Sequence, residues 1–337
     1  MSKKTKELIP PGLAYLADNI ISGHNILGVP KEQQAKWSKG LDLPRKGETI
    51  FFAGCGYQYS SELESLMSLI RKMDKSVIGS ETPMRLAALP KKLGIDAAGI
   101  YRKIMAKSND ADAQTLRDAV GVLKSFGINF GYLAEEEPCC GAPLYFAGLQ
   151  KEFAKNAREA YETLKSRGLK RIIGIVPSCT YALRDLFPLF IDGYDIEVKH
   201  FSEVIAENIS SKKLKFPEEV KVTYHDPCQL ARFLGLIEEP RQILRAIEGI
   251  ELVEAEWTNG EWSTCCGGGG GFEAVFPELS QVLATNRARE MTATGARIIV
   301  TQCPGCIMQL KEGLKELKNG DVKVLDLAQV LAMATEA

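Results

Sequence analysis

The sequence predicts an α/β protein built from two tandem, internally duplicated Rossmann-like units with parallel sheets. Three observations carry that prediction. Cysteines recur in a repeated pattern, a helix–strand–cysteine order recurs with them, and the 337 residues are enough for about two domains.

The first copy reads Phe51-Phe52-Ala53-Gly54-Cys55, then Glu137-Pro138-Cys139-Cys140-Gly141, then an apolar run from Arg171 that ends at Cys179. The second reads Thr223-Tyr224-His225-Asp226-Pro227-Cys228, then Thr264-Cys265-Cys266-Gly267, then a run from Arg297 to Cys303 and Cys306. In the second copy 36 residues separate Cys228 from Cys265 and 36 separate Cys266 from Cys303. In the first, 38 separate Cys140 from Cys179 but 83 separate Cys55 from Cys139, which places an insertion within residues 74–112. All nine cysteines fall on repeat positions, the mark of a duplication. Aligned on Cys179 and Cys303, Ala182 stands where Cys306 stands, so the first motif has four cysteines and the second five.

Apolar residues at helical spacing predict helices over Lys151 to Arg167 and Pro277 to Thr294, closed by Gly168 and Gly295. Strands are expected at 49–54, 128–133, 171–176 and 196–200, and again at 221–225, 250–254, 297–301 and 322–326. Strands alternating with helices imply parallel sheets, whose sites form beyond the carboxyl ends of the strands. The expected division is 1–48, an irregular wrapping extension rich in proline; 49–215, the first unit; and 216–337, the second. The boundary falls in the Ser, Lys, Pro and Glu stretch from Ser210 to Glu219.

Hydrophobic residues make up 45% of the chain and charged residues 25%, an ordinary globular composition rather than a disordered one. Lys plus Arg (42) nearly cancel Asp plus Glu (43), which argues against a nucleic-acid partner. No apolar run approaches the roughly 20 residues of a spanning helix. The N-terminal apolar segment, broken by Asp18 and Asn19, makes a poor secretory signal. The expected location is the cytoplasm, including association with a membrane-bound complex. Thiols are kept reduced there, so nine cysteines need a role other than disulfides.

Thiolates are soft ligands suited to iron–sulfur clusters, Zn(II) and Cu(I). A structural zinc takes about four ligands. The five thiols of the second motif are more naturally shared among several irons. The run from Gly267 to Gly271 lets backbone approach a bulky inorganic core, and Phe272 after it excludes a phosphate loop.

The C, CCG, C-x-x-C order in two copies resembles the cysteine-rich CCG domain of the heterodisulfide reductase B/D superfamily, which includes iron–sulfur proteins of glycolate, lactate and glycerol-3-phosphate oxidation systems. The likeness runs from about residue 49, and Ser22 to Trp37 is similar to the linker that precedes this domain in the D branch. The resemblance implies a noncubane 4Fe-4S cluster on Cys228, Cys265, Cys266, Cys303 and Cys306, with Gly267 and Gly268 beside it, as the active centre that cleaves a disulfide. Cys55, Cys139, Cys140 and Cys179 are then expected to hold a 4Fe-4S cluster, zinc or nothing.

His225 and Asp226 are candidates for a proton donor or a supporting partner, against a satisfied core histidine and a helix-capping aspartate. His200 reads as a packing residue, and Glu135 to Glu137 as a solvated run whose last member could tune a cluster. Trp262 reads as a lid or core aromatic. The chain has no ferredoxin-type C-x-x-C-x-x-C-x-x-x-C-P run, no dinucleotide fingerprint and no flavin motif. Electrons are therefore expected to pass through a ferredoxin-like iron–sulfur subunit and a flavoprotein subunit, the substrate being a small disulfide or thiol. The alternatives are a non-catalytic electron relay in a hydroxyacid or quinone-linked dehydrogenase, and a zinc-binding scaffold protein.

Overall fold

The computed structural model describes residues 8–65 and 111–336. The predicted insertion at 74–112 lies, apart from its last two residues, outside them. Among the described residues, seven strands form two sheets: β1 (Thr49–Phe52), β2 (Arg171–Gly174) and β3 (Glu197–His200) in one, and β4 (Leu214–Tyr224), β5 (Ile247–Leu252), β6 (Ile298–Thr301) and β7 (Lys323–Asp326) in the other. All pairings are parallel. The helices that matter here are α1 (Pro11–Gly23), α2 (Gly54–Gln58), α3 (Ala111–Ser125), α4 (Gln150–Ser166), α5 (Pro177–Tyr181), α6 (Phe201–Asn208), α7 (Glu238–Arg245), α8 (Pro277–Ala293), α9 (Pro304–Glu316) and α10 (Leu327–Glu336).

The two sheets have one topology. The second runs β5-β4-β6-β7. In the first, Gly131 bridges Ile50 on the free side of β1, so the order is Gly131-β1-β2-β3. The expected strand at 128–133 shrinks to that bridge because the next amide, Tyr132, donates to the Pro44 carbonyl at 2.8 Å instead of continuing the ladder. Two other expectations also change. Residues 214–219, expected in the connecting stretch, form the first half of β4. About half of the extension's described residues are helical, with α1 starting on the proline pair and short helical turns at Lys31–Gln34 and Lys36–Ser38.

β1, β2 and β6 are short and buried on both faces, as apolar runs such as Ile50-Phe51-Phe52 and Ile298-Ile299-Val300 require. Crossover helices bury a stripe against them. Phe153, Ala157, Ala160 and Leu164 form the stripe of α4, and Ser280, Ala284, Arg287, Ala288 and Met291 that of α8. Both helices span 17 residues and end before a left-handed glycine, Gly168 or Gly295.

The halves also exchange their closing helices. α6, which follows the last strand of the first half, packs on α7 of the second, and α10, which follows the last strand of the second, packs on α3 of the first. One hydrophobic core therefore runs through both, from Ile50 and Leu116 to Val300, Leu327 and Leu331. No described helix is long and apolar enough to cross a membrane.

Candidate metal centre

Register fixes which residues correspond. Thr49 pairs with Arg171 and Arg171 with Glu197, as Val222 pairs with Ile298 and Ile298 with Lys323. Counting on, Cys55 matches Cys228, Phe52 matches His225, and Gly174 matches Thr301. The same count brings Val176-Pro177-Ser178-Cys179 onto Cys303-Pro304-Gly305-Cys306. Both prolines are the first residue of a helix, and Val176 and Cys303 are the extended residues before it. The absent fifth thiol is therefore at Val176, and Cys179 is the counterpart of Cys306. This corrects the alignment of Ala182 with Cys306: aligning the cysteines themselves slips the copies by three residues, whereas Ala182 is a fully buried core position one turn farther on.

Sulfur geometry agrees. Cys140 Sγ lies 3.1 Å from Cys179 Sγ, and Cys266 Sγ 3.1 Å from Cys306 Sγ. Gly141 N–H points at Cys139 Sγ (3.4 Å) and Gly267 N–H at Cys265 Sγ (3.3 Å). Cys55 also lies beside Cys139, and Cys303 beside Cys306. Every cysteine stands beyond the carboxyl end of a strand or on the CCG turn that closes over it. All nine are free thiols, and the 3.1 Å contacts are far from the roughly 2.05 Å of a disulfide.

The two sets differ in exposure. Cys55, Cys139, Cys140 and Cys179 are all buried, whereas Cys265 is exposed and Cys228 and Cys303 are partly open. A cavity of about 210 Å³ lies between the sets, lined by every cysteine except Cys265 and Cys266, by Gly268 to Gly271, and by Tyr15 and Leu16 of α1. The N-terminal helix thus covers the glycine run, and a Cβ on Gly271 would lie 2.3 Å from Leu13 Cδ2.

Each half ties its first cysteine turn to its CCG segment through one buried carboxylate. Glu137 accepts from the amides of Ala53 (2.8 Å) and Gly54 (3.0 Å) and from Gln58 Nε2 (2.7 Å). It is 1% exposed, so it leaves the solvated run expected of it, while Glu135 and Glu136 pair at the surface with Arg45 and Arg167. Burial lifts the Glu137 carboxyl to about 7. In the second half Asp226 plays the part from the other side. It receives a bidentate pair from Arg241 (2.7 and 2.9 Å) and the Gly260 amide (2.8 Å), so it anchors a turn and caps no helix. Arg241 also holds Glu254 at 2.7 Å.

His225 is 1% exposed and does not line the cavity. Its Nδ1 accepts from Arg287 Nε (2.9 Å), and the ring lies near Cys266 and Cys306. His200 caps α6, taking the Ser202 amide on Nδ1, and Nε2 bonds the Ile175 carbonyl (3.0 Å). Trp262, 76% exposed on a short turn, is no core aromatic. Sequence reasoning missed Arg287, Arg241 and Val176. The signal for Arg287 was an arginine on the apolar stripe of α8, and for Val176 the shared x-Pro-x-Cys.

The residues fit a soft metal group. The Cys139 sulfur and burial hold the Cys55 thiol well above its usual range, and burial pushes Cys228 up to about 11. Cys266 is the exception, held well below the thiol range by the neighbouring thiols of Cys265 and Cys306 and by the His225 ring beside it. Crowded thiols of this kind are costly to ionise alone and lose their protons readily to a metal. The nearest ligand atoms of His225, Cys266 and Cys306 lie within 4.8 Å of one another. Glycine is required at the turn: a Cβ on Gly267 would lie 2.4 Å from the Ser280 carbonyl oxygen.

A family model described as CCG, cysteine-rich domain, matches residues 104–184 and 222–311. The D subunit of the dihydromethanophenazine:CoB–CoM heterodisulfide reductase of Methanosarcina mazei is 35% identical over 219 residues, 63% of this chain and 53% of that protein. The B subunit of the fumarate reductase (CoM/CoB) of Methanothermobacter marburgensis is 33% identical over 63% of this chain and 42% of its own length. The EtfAB:quinone oxidoreductase of Syntrophomonas wolfei is 34% identical over 64% and 31%. The matched region spans about half the length of the heterodisulfide reductase relatives and less of the others. The crystal structure of a hypothetical protein from Helicobacter pylori shares the fold, with a TM-score of 0.50 and 15% identity over 66% of this chain and 46% of that one. With two matched copies, a duplicated sheet topology and the cysteines at equivalent strand ends, the chain belongs to the family of CCG cysteine-rich domain proteins and is like the B and D components of heterodisulfide reductase.

Proposed function

We propose that the chain is the iron–sulfur subunit of a heterodisulfide-reductase-like complex and that disulfide reduction, or the reverse thiol oxidation, takes place at the second thiol set. The observation that carries this is the convergence of Cys228, Cys265, Cys266, Cys303 and Cys306 at one sheet edge, partly exposed and beside a cavity. In this reading those five hold a noncubane 4Fe-4S cluster, with Gly267 and Gly268 against it. When bound, the cluster supplies one-electron storage and an iron face for a substrate sulfur.

The protein's own part is to orient the thiols through the Asp226 and Glu137 anchors and to shield one wall of the cavity with α1. Reduction of a disulfide consumes two electrons and two protons and yields two thiols. A ferredoxin-type partner, and a flavoprotein beyond it, would exchange the electrons. The exposed Trp257, Trp262 and Phe276 of the second half offer a mixed surface for contact. The first set, with Val176 in the fifth place, would hold an ordinary four-thiolate 4Fe-4S cluster that feeds the second, with zinc as the competing occupant. The units 49–215 and 216–337 are proposed as the two cluster-bearing domains.

The test mixes anaerobically oxidised protein with candidate small disulfides and follows the cluster's paramagnetic signal and turnover. Folded Cys303→Ala or Cys266→Ala should lose both, and Cys179→Ala should keep the substrate-induced signal while slowing electron supply. Full turnover in folded Cys303→Ala would refute the assignment. The relatives that act as a quinone oxidoreductase and as part of a fumarate reductase favour a second reading, a relay that passes electrons and binds no disulfide. An unchanged signal with every disulfide would favour it.

A further inference from the structure

The halves differ sharply one layer behind their thiols. His225, which continues β4 by donating its amide to the Val300 carbonyl (2.8 Å), occupies the place of Phe52, and Arg287 of α8 occupies the place of Ala160 in α4. Both side chains are no more than 1% exposed. Arg287 Nε donates to His225 Nδ1 at 2.9 Å. A guanidinium has donors only, so Nδ1 is the acceptor and the ring proton sits on Nε2. Nε2 has no hydrogen-bond partner among the described residues, sulfur included, yet the ring lies beside the second thiol set, with ligand atoms of His225, Cys266 and Cys306 within 4.8 Å of one another.

Nor is the arginine free to turn. Its Nη1 bonds Glu290 Oε2 (2.8 Å) and Thr258 Oγ1 (3.0 Å), and its Nη2 bonds Ser263 Oγ (3.1 Å), two residues before Cys265.

We propose that His225 is a positioning residue that tunes the second site: Arg287 locks its tautomer with the proton on Nε2, and that buried, otherwise unpartnered N–H closes a bond onto Cys266 Sγ when the thiols hold a cluster, raising the reduction potential of the second cluster above that of the first. The proposal rests on the reading of Cys266 as a cluster ligand. Hydrogen bonds to ligand sulfur stabilise the added negative charge of the reduced state and so move potentials upward. At the matching places the first half carries Phe52 and Ala160, which supply no such donor, and electrons entering there run downhill to the half with the open thiols. It also removes His225 as a proton donor to a leaving thiolate, since its one proton is committed to Cys266 behind the cavity wall.

The test is a redox titration followed by electron paramagnetic resonance on anaerobic protein of measured iron and sulfide content. His225→Phe installs the residue of the first half. His225→Gln keeps an acceptor for Arg287 and a donor for Cys266. The second-site midpoint should shift negative in His225→Phe and return toward wild type in His225→Gln, the first-site midpoint staying put in both. An unmoved second-site midpoint in fully loaded His225→Phe overturns the proposal. Should that variant fail to fold or load, long-range proton–nitrogen correlation of the oxidised wild-type protein decides. The chain has only three histidines, so His225 is assigned by its absence in His225→Gln. A proton on Nε2 supports the lock, and a proton on Nδ1 overturns it. Absence of iron in the wild type would sink the cluster reading instead, and the nitrogen spectrum would still decide the hydrogen bond.

Discussion

Replacing Gly267 by alanine should damage the second site far more than the same change at Gly270, three residues along the same run. Both backbones are left-handed, with φ of 86° and 63°, and a side chain there costs about 1–2 kcal/mol. A Cβ on Gly270 meets nothing within 4 Å. On Gly267 it would sit 2.4 Å from the Ser280 carbonyl oxygen and 3.1 Å from Leu283 Cβ, both on α8, which cannot yield without disturbing its packing on α9. Overpacking of that kind adds about 1–3 kcal/mol, for a total near 2–5 kcal/mol. The change also displaces the amide that points at Cys265 Sγ. At about 2–4 °C per kcal/mol for domains of this size, Gly270→Ala should lower the melting temperature by a few degrees and Gly267→Ala by at least twice as much. Metal content per chain, measured after gel filtration, should fall only in the latter. Equal melting temperatures and equal metal retention would refute the steric reasoning.

Val176→Cys should complete a second five-thiol set, and the first-site spectrum should then approach that of the second; an unchanged spectrum in folded protein would contradict the correspondence of Val176 with Cys303. Asp226→Asn leaves Arg241, 3% exposed, with Glu254 as its one remaining counter-charge and breaks the charged bidentate pair, and should cost about 1.5–3 kcal/mol in denaturant unfolding; no measurable loss would mean that the pair does not anchor the turn. Burial lowers His200 to about 3, below its unfolded value near 6.5, so the unfolded chain binds the extra proton between those values and stability falls as pH falls. The loss is about 1.4 kcal/mol per pH unit, roughly 2 kcal/mol from pH 6.5 to 5, and His200→Gln should remove that part of the slope; identical slopes for wild type and variant would show that His200 charges freely in the fold.

Much of this was legible in the chain itself. Apolar runs, helix-closing glycines and cysteines that follow strands placed the duplicated sheets and both thiol sets, because in a parallel sheet those local signals also dictate where side chains converge. What depended on distant partners was not legible. The bridge at Gly131 stops because Pro44, 87 residues earlier in the chain, takes the next amide. Arg287 looks like an error on an apolar stripe until His225, 62 positions away, is placed against it. The exchange of α6 and α10 leaves no local trace, since each helix simply has a buried face. The Ala182 alignment failed for a different reason: the cysteines of the two copies are offset by one helical turn, while Pro177 and Pro304, which start equivalent helices, carry the true register.

The most direct test of the five-thiol centre is iron, zinc and acid-labile sulfide content of protein isolated without oxygen. Wild-type chain should be brown and carry iron and sulfide together, and Cys303→Ala should lose the share held by Cys228, Cys265, Cys266 and Cys306 while leaving that of the first set. Colourless protein with stoichiometric zinc and no sulfide, before and after anaerobic reconstitution, would contradict it.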